Sequence, residues 1–271
     1  MKIHPTSIVS PGASLGPGVI IGPYAVIEDD TEIGEGTDIR AHAVVKRYTI
    51  LGPANTVYEG AILGGEPQDV SFVNCKSYLR IGSNNRIREG VTMHRGTQPE
   101  SATLLGSNCF VMANAHVAHN CKLGNGVIIA NNVALAGHTE IRDQAFISGG
   151  VVVHQFCRIG RLAMIGGNSK IVQDCLPFIL TDGVPGRSHG LNIVGLRRAG
   201  YKTSDLQNLK EAYRLLLRSG LSLENAILSL EQNTDPLVAE LIDFVRTSQR
   251  GFCHEQSKEK RVARREQSKT D

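Results

Sequence analysis

The chain has 271 residues, a formal net charge of +3, no Trp and an aromatic content of 5%. No run of about 18 uninterrupted apolar residues occurs, which argues against a membrane-spanning helix, and the near-neutral charge argues against nucleic-acid binding. Residues 1–5 lack the apolar core of a secretory signal. The six Cys form no C-x-x-C pair, which argues against a zinc knuckle or a disulfide framework. We therefore expect reduced thiols and a cytoplasmic location.

A six-residue repeat runs through residues 1–176. Counted from Ile3 to Ile171, 26 of the 29 positions at this spacing hold Ile, Leu, Val or Met. Neither an α-helix nor a half-buried strand has this period, whereas one short strand and a turn, repeated, does. Gly often follows the apolar position, and we expect it to supply the positive φ that tight corners need. Three such units in each coil predict a triangular prism with a narrow aliphatic core.

The repeat is interrupted at Asp69 and Cys75 and again at Pro99. The interruptions predict two loops, over residues 64–80 and 94–104. Long excursions from a regular scaffold often carry binding groups, although a plain surface loop is the alternative interpretation.

The repeat ends near residue 176, and residues 177–200 are expected to form a linker with local structure. Residues 201–253 have helical patterns and predict a small α-helical domain. Its three helices are expected to be capped by Ser204, Ser222 and Asp235 and to end near residues 218, 232 and 250. Residues 254–271 are highly charged without an apolar period, which is typical of a disordered tail.

Four His residues crowd into the second half of the repeat: His116, His119, His138 and His154. His119, Gly137 and Gln155 are spaced by 18 residues, so we expect them to stack on one edge of three successive coils. Two more His flank this column, and three imidazoles are predicted to line about 10 Å of the edge. A single His is usually a polar corner residue, but a column of them indicates acid–base chemistry or metal binding. Cys121 and Cys157 occupy small or interior positions and are expected only to pack.

Several strings resemble those of the bacterial UDP-N-acetylglucosamine O-acyltransferases, a family of hexapeptide-repeat transferases. They are PQD at 67–69, IREGVTMHRGT at 87–97, NAHVAHNC at 114–121, LAGH at 135–138, VHQFC at 153–157 and GLNI at 190–193. The resemblance covers residues 1–253. It implies an all-β solenoid, the left-handed parallel β-helix of hexapeptide repeats, followed by a small C-terminal α-helical domain. The left hand comes from the family and not from the periodicity, because it is opposite to the usual crossover rule.

The resemblance also implies an activity. The family transfers an (R)-3-hydroxyacyl chain from acyl carrier protein to the 3-hydroxyl of UDP-N-acetylglucosamine, in lipid A synthesis. It implies a cytoplasmic homotrimer with sites between subunits, and no cofactor or bound metal.

By the same resemblance, His119 would be the general base and the Gly137 N–H would stabilise the oxyanion. The residues that would hold the sugar and its diphosphate are Gln68, Asp69, His138, His154 and Gln155. His116 would shape the site, Asn192 would contact the nucleotide and Arg198 would meet its phosphate. Gly167 would limit acyl length, and we expect it near the histidine column, about one coil further along.

Three positions differ from the family's common residues. Ser71 replaces Lys, Val194 replaces Glu and Asn120 replaces the Asp that follows the catalytic His. An amide oxygen can still accept a hydrogen bond from imidazole, but it does not stabilise imidazolium as a carboxylate does. These changes leave the sugar nucleotide open and leave His119 and acyl transfer in place.

Other functions are compatible with parts of the sequence. A related transferase could acylate the amine of a 3-amino sugar nucleotide, or a different nucleotide sugar. The glucosamine N-acyltransferase of the same pathway shares the scaffold but normally carries a large N-terminal domain that this sequence does not show. A γ-type carbonic anhydrase binds zinc through three His on the same scaffold, but Gly137 and Gln155 are not metal ligands. A purely structural solenoid would not need the histidine column.

Overall fold

The computed structural model describes residues 1–255. The tail predicted over 254–271 lies outside the described residues except for its first two. Most of the chain forms a β-helix in which each six-residue unit contributes one short strand to one of three parallel sheets. A helical region follows the last coil.

Every third strand belongs to the same sheet. The first sheet contains β1 (Lys2–Ile3), β4 (Ile20–Ile21), β7 (Asp38–Ile39), β10 (Thr56–Val57), β13 (Arg86–Ile87), β16 (Phe110–Val111), β19 (Ile128–Ile129), β22 (Phe146–Ile147) and β25 (Met164–Ile165). The second contains β2 (Ile8–Val9), β5 (Val26–Ile27), β8 (Val44–Val45), β11 (Ile62–Gly65), β14 (Thr92–His94), β17 (His116–Val117), β20 (Ala134–Leu135), β23 (Val152–Val153) and β26 (Lys170–Ile171). The third contains β3 (Ser14–Leu15), β6 (Glu32–Ile33), β9 (Thr49–Leu51), β12 (Tyr78–Ile81), β15 (Ala102–Leu105), β18 (Lys122–Leu123), β21 (Glu140–Ile141) and β24 (Arg158–Ile159).

The register between coils follows the repeat. Val117 pairs with Leu135, which pairs with Val153, so each coil takes 18 residues. Leu63 instead pairs with Met93, because the chain leaves the repeat between β11 and β12. It leaves again between β14 and β15. The structure therefore has loops at 66–77 and 95–101, inside the ranges where the repeat fails.

From β4 onward, the second residue of each two-residue strand points into a continuous aliphatic core. Val117, Leu135 and Ile147 are among the many core side chains with less than 2% exposure. A column of Ile, Leu and Val fills the thin prism, and this explains the shortage of aromatic rings.

The expected role of the repeat glycines is wrong. Positive φ angles occur three residues after the apolar position, as at Asn120 (58°) and His138 (61°), and not at the Gly directly after it, with the exception of Gly64 (80°). Gly34 illustrates what that Gly does: a Cβ there would lie 2.5 Å from the carbonyl carbon of Gly52 in the next coil. These glycines allow coils to stack closely.

Two strands and four helices complete the described chain. They are β27 (Ile179–Asp182), β28 (Arg187–Leu191), α1 (Ile193–Arg198), α2 (Thr203–Arg218), α3 (Leu223–Leu230) and α4 (Pro236–Arg246). β27 extends the first sheet and pairs antiparallel with β28, and both strands and α1 fall within the predicted linker. Ser222 and Asp235 cap α3 and α4, whereas Ser204 lies inside α2, whose N-cap is Lys202. No helix within residues 1–255 is long and apolar enough to span a membrane.

The helical region packs on the end of the β-helix. Leu176 and Ile179 share a core with α2, α3 and α4. The guanidinium of Arg158 donates to the Phe244 carbonyl of α4 at 2.9 Å, and Arg161 pairs with Glu240 of the same helix. Leu196 of α1 packs with Leu162 and Phe178. These contacts fix the helices, including the short α1, relative to the coils.

Candidate functional site

The predicted column lies at the corner that follows the second sheet. His119, Gly137 and Gln155 come two residues after the inward-facing residues of β17, β20 and β23, which are hydrogen-bonded neighbours. We call this column, the adjacent Asn120 and His138, and the loop side chain Asp69 the histidine corner. The 18-residue spacing thus produces the expected stack.

His119 is the most enclosed imidazole of the column, with 6% exposure. Its Nδ1 lies 3.0 Å from Oδ1 of Asn120. Its ring covers Gly137, where a Cβ would lie 2.5 Å from Nε2. Only Gly can occupy position 137 without displacing this ring, so the Gly137 backbone lies directly against the imidazole of His119.

The first loop brings a carboxylate to the same point. Oδ2 of Asp69 lies 4.0 Å from Nε2 of His119. The N–H and hydroxyl of Ser71 donate to Oδ1 of Asp69 at 2.9 and 2.7 Å. These hydrogen bonds lower the pKa of Asp69 below its usual value, because they favour the charged form. Ser71, found where the family often has Lys, therefore fixes the orientation of Asp69. Gln68 is exposed beside it.

The remaining column residues form a more open surface. The His138 ring stacks on Phe156 with centroids 4.7 Å apart and lies edge-on to His119 at 5.3 Å. Partial burial, followed by the nearby His119, lowers the pKa of His138. His154 and Gln155 are exposed. Together they provide hydrogen-bonding groups next to the enclosed imidazole of His119.

A second pair of imidazoles lies beneath the site. Nδ1 of His116 lies 2.8 Å from the Thr92 hydroxyl, and its ring is edge-on to His94 at 4.9 Å. Burial lowers the pKa of His116, and it lowers the pKa of His94 to about 4, with smaller contributions from His116 and His119. Both therefore remain neutral at neutral pH. His94 was not among the predicted site residues, although it lies in the 87–97 string.

Arg95 and Thr97 of the same string were also not predicted as site residues, because the six-residue repeat is interrupted there. The guanidinium of Arg95 is buried and holds the first loop, donating to the Cys75 carbonyl and, at 2.9 Å, to Oδ1 of Asn74. Thr97 donates to Oδ1 of Asn120 through its N–H at 3.1 Å and its hydroxyl at 2.9 Å. The two loops are thus both anchored at the histidine corner.

The structure does not bring Asn192 and Arg198 to the histidine corner of the same chain. They line a cavity of about 480 Å³ on the outer face of the first sheet, which we call the α1 cavity. Its apolar floor is formed by Ile128, Phe146 and Met164. The Asn192 amide caps α1, accepting from Gly195 N–H at 3.0 Å and donating to the Leu162 carbonyl at 2.9 Å.

The expected position of Gly167 is wrong. It follows β25 of the first sheet, so it lies at the corner between the first and second sheets and not along the column of His119. The chain reaches a corner of the prism every six residues, so a six-residue spacing does not tell the three corners apart. Residues on the same corner of successive coils are 18 apart. Gly167 is not at positive φ, and a Cβ there would meet nothing closer than the Gly149 carbonyl oxygen at 3.5 Å. The site residues of one chain therefore lie at three separate places around the prism.

No group of three or more His, Cys, Asp or Glu side chains within residues 1–255 is arranged to hold a metal ion. His119 contacts Asn120 and Gly137, His138 stacks on Phe156, and His116 contacts Thr92.

The sequence matches two family profiles. Residues 174–253 match the family described as UDP-N-acetylglucosamine O-acyltransferase, domain 2. Residues 12–47 and 102–137 match the bacterial transferase hexapeptide repeat. The first match covers the helical region together with β27 and β28, and the second covers parts of the β-helix.

Individual proteins match over most of the chain. The acyl-[acyl-carrier-protein]--UDP-N-acetylglucosamine O-acyltransferase of Burkholderia orbicola is 43% identical over 93% of this chain and 98% of its own. That of Gloeothece citriformis is 45% identical over 76% of this chain and 75% of its own.

Solved structures agree. The UDP-N-acetylglucosamine acyltransferase of Bacteroides fragilis superposes with a TM-score of 0.91 and 37% identity, covering 93% of this chain and 100% of that one. The Moraxella catarrhalis enzyme superposes with a TM-score of 0.91 and 40% identity, covering 94% of this chain and 100% of that one. The expected left-handed parallel β-helix followed by C-terminal helices is confirmed. The chain belongs to the family of UDP-N-acetylglucosamine O-acyltransferases.

Proposed function

We propose that this protein transfers an (R)-3-hydroxyacyl chain from acyl carrier protein to the 3-hydroxyl of UDP-N-acetylglucosamine, a step of lipid A synthesis. The names of relatives at 40–45% identity support the donor and the acceptor. The single structural observation that carries the proposal is the contact between His119 and Gly137, in which an imidazole lies directly against a glycine backbone.

In the proposed reaction, Nε2 of His119 removes the proton from the sugar hydroxyl as its oxygen attacks the thioester carbonyl. The carbonyl oxygen becomes negatively charged and is stabilised by the Gly137 N–H, a contribution of about 3 kcal/mol for one such donor. The C–S bond then breaks, and the imidazolium returns its proton to the thiolate of acyl carrier protein. The Asp69 carboxylate, 4.0 Å from Nε2, stabilises the transient imidazolium.

The same proposal assigns the binding roles. The groups assigned to the sugar and its diphosphate are Gln68, Asp69, His138, His154 and Gln155. His116 supports His119 from below, and Arg198 meets the nucleotide phosphate. Because both ends of the Asn192 amide already have partners, we assign it first to fixing α1, with any nucleotide contact made through a remaining lone pair. No cofactor and no nucleic acid takes part.

The three sheet faces differ in a way that supports a homotrimer. Outward side chains of the first sheet include Phe110, Ile128, Phe146 and Met164, and those of the second include Val44, Ile62, Ala134 and Val152. The third sheet presents charges instead, at Glu32, Arg80, Lys122, Glu140 and Arg158. Apolar faces favour burial, so we propose that the first sheet of one copy packs on the second sheet of the next, around a threefold axis.

This arrangement would complete the site. The corner between the first and second sheets would face the axis, and the third sheet would face solvent. The histidine corner of one copy would then lie next to the α1 cavity of its neighbour, and Arg198 would reach the substrate from that neighbour. Gly167 would line the inner part of the cleft, where a long acyl chain could extend. We also propose a cytoplasmic location, in keeping with six free thiols.

The test is a direct assay. The purified protein is incubated with UDP-N-acetylglucosamine and a panel of 3-hydroxyacyl carrier proteins, and product masses are measured. We expect one acyl group per sugar nucleotide, released by mild alkali as an ester. Acylation of only a 3-amino sugar nucleotide, as an alkali-stable amide, would support the related N-acyltransferase, and no product from either acceptor would contradict the proposal.

A further inference from the structure

The side chain of Asn120 has a fixed orientation. Its Oδ1 lies 3.1 Å from the backbone N of Thr97 and 2.9 Å from the Thr97 hydroxyl oxygen. A backbone N–H can only donate, so the atom that faces it must be the amide oxygen and not the amide nitrogen. The hydroxyl reinforces this orientation by donating to the same oxygen.

The orientation of Asn120 determines which nitrogen of His119 carries the proton. Nδ1 of His119 lies 3.0 Å from the same Oδ1, which can only accept. Nδ1 must therefore donate, and in the neutral ring Nε2 is left with a free lone pair. Nε2 is the nitrogen beside Gly137 and Asp69. If the Asn120 amide were turned over, its NH₂ group would face the N–H and hydroxyl of Thr97. The same NH₂ group would donate to Nδ1 of His119, and the ring proton would move to Nε2.

Both partners of this contact are held by their backbones. The Thr97 carbonyl accepts from the Cys75 thiol at 3.6 Å, and the neighbouring Arg95 N–H donates to the Gly65 carbonyl at 3.0 Å. The Asn120 N–H donates to the buried hydroxyl of Thr103 at 2.8 Å. The geometry is thus set by the second loop on one side and by the β-helix on the other.

We propose that Thr97 is a positioning residue that acts through the Asn120 amide to keep the proton of His119 on Nδ1. The proposal rests on the proposed function, in which Nε2 accepts the hydroxyl proton. A carboxylate at position 120 would offer an acceptor oxygen in either orientation, whereas an amide works in only one. Because residue 120 is Asn, the Thr97 hydroxyl strengthens the one orientation that the Thr97 N–H selects, and this dependence distinguishes positioning from simple loop packing.

The experiment compares Thr97→Val and Thr97→Ser in the native chain and in an Asn120→Asp background. Val removes the hydroxyl at nearly constant shape, and Ser retains it. In the native chain we expect Thr97→Val to lower kcat about fivefold with little change in KM, the scale of one lost hydrogen bond, and Thr97→Ser to retain most of kcat. In the Asn120→Asp background, Thr97→Val should lower kcat less than twofold. Equal losses in both backgrounds would overturn the proposal.

A spectroscopic measurement separates this proposal from the general-base assignment. The ¹⁵N resonances of His119, identified by their loss in His119→Ala, report the tautomer directly. We expect a protonated Nδ1 and an unprotonated Nε2 in the native protein, and Thr97→Val should shift both toward a mixture. A native ring protonated at Nε2 would overturn the positioning role. Full turnover by His119→Ala would instead overturn the proposed mechanism and leave the tautomer result standing.

Discussion

The histidine corner and the α1 cavity are built differently. The histidine corner combines an enclosed imidazole with the loop carboxylate of Asp69, and the side chains of His119, Asn120 and Asp69 are held by hydrogen bonds. The α1 cavity has an apolar floor of strand side chains, and Arg198 is the cation at its rim. The histidine corner has imidazoles that can accept a proton but offers little apolar surface. The α1 cavity can enclose a flat ring or a chain, but within residues 1–255 its lining includes no imidazole or carboxylate. In the proposed arrangement, these two regions are complementary halves of one site, contributed by different copies of the chain.

Removing the base should have the largest effect. We expect His119→Ala to lower kcat at least about 100-fold, the usual scale for a general base, because the imidazole that lies directly against Gly137 is lost. Sugar-nucleotide affinity, measured by calorimetry, should change little. His4→Ala in the first coil is the matched control and should retain full turnover. Near-normal turnover of His119→Ala would remove the histidine corner from the chemistry.

The buried His94 should make the fold sensitive to acid. Its folded pKa is about 4, against an ordinary value of 6.5, so below pH 6.5 the unfolded chain binds a proton that the folded chain does not. The free energy of unfolding should therefore fall as the pH drops from 6.5 toward 4, by about 2 kcal/mol at pH 5 from this group. Urea unfolding at pH 7.5 and pH 5 measures it. The free energy of unfolding of His94→Gln should depend less on pH than that of the native chain. The same pH dependence in both proteins would contradict a buried neutral imidazole at His94.

Removing the cation of the α1 cavity should act on binding. We expect Arg198→Ala to raise KM for the sugar nucleotide about tenfold, because a charge-assisted phosphate contact is lost, with a smaller change in kcat. Arg197→Ala is the control, since Arg197 is exposed in the same turn of α1 and does not line the cavity. Steady-state kinetics at several substrate concentrations separates the two parameters. Equal effects of the two variants would remove the phosphate role of Arg198.

Gly167→Met should have the smallest effect, confined to acyl length. The site tolerates a Cβ, so the fold should be kept while the longer side chain narrows the cleft. We expect kcat/KM for a long donor to fall several-fold relative to a donor about four carbons shorter. The ratio of the two donors is the measurement, with the melting temperature as control. An unchanged ratio with normal stability would separate Gly167 from chain-length selection.

The sequence predicted the regular parts of the molecule well. The period of six and the pairs of residues 18 apart led to the prism and to the stack of His119, Gly137 and Gln155, because each coil repeats the same backbone geometry. The caps at Ser222 and Asp235 followed from residue type and spacing.

The irregular parts could not be predicted from the repeat. Where the loops leave the scaffold, no periodicity places Thr97 against Asn120 or Arg95 against the Cys75 carbonyl, since such contacts depend on tertiary folding. Gly167 shows a different failure. Its position in the hexad equals that of His119, and only the coil phase reveals that it lies at another corner.

The central claim is that each site joins the histidine corner of one copy to the α1 cavity of the next. Subunit mixing tests it directly: His119→Ala and Arg198→Ala chains are unfolded together, refolded at equal amounts and assayed at low sugar-nucleotide concentration. In random trimers, about one quarter of the sites would pair an intact His119 with an intact Arg198, so activity should rise to about a quarter of the native value. Activity that stays at the average of the two parent variants would contradict a site shared between copies.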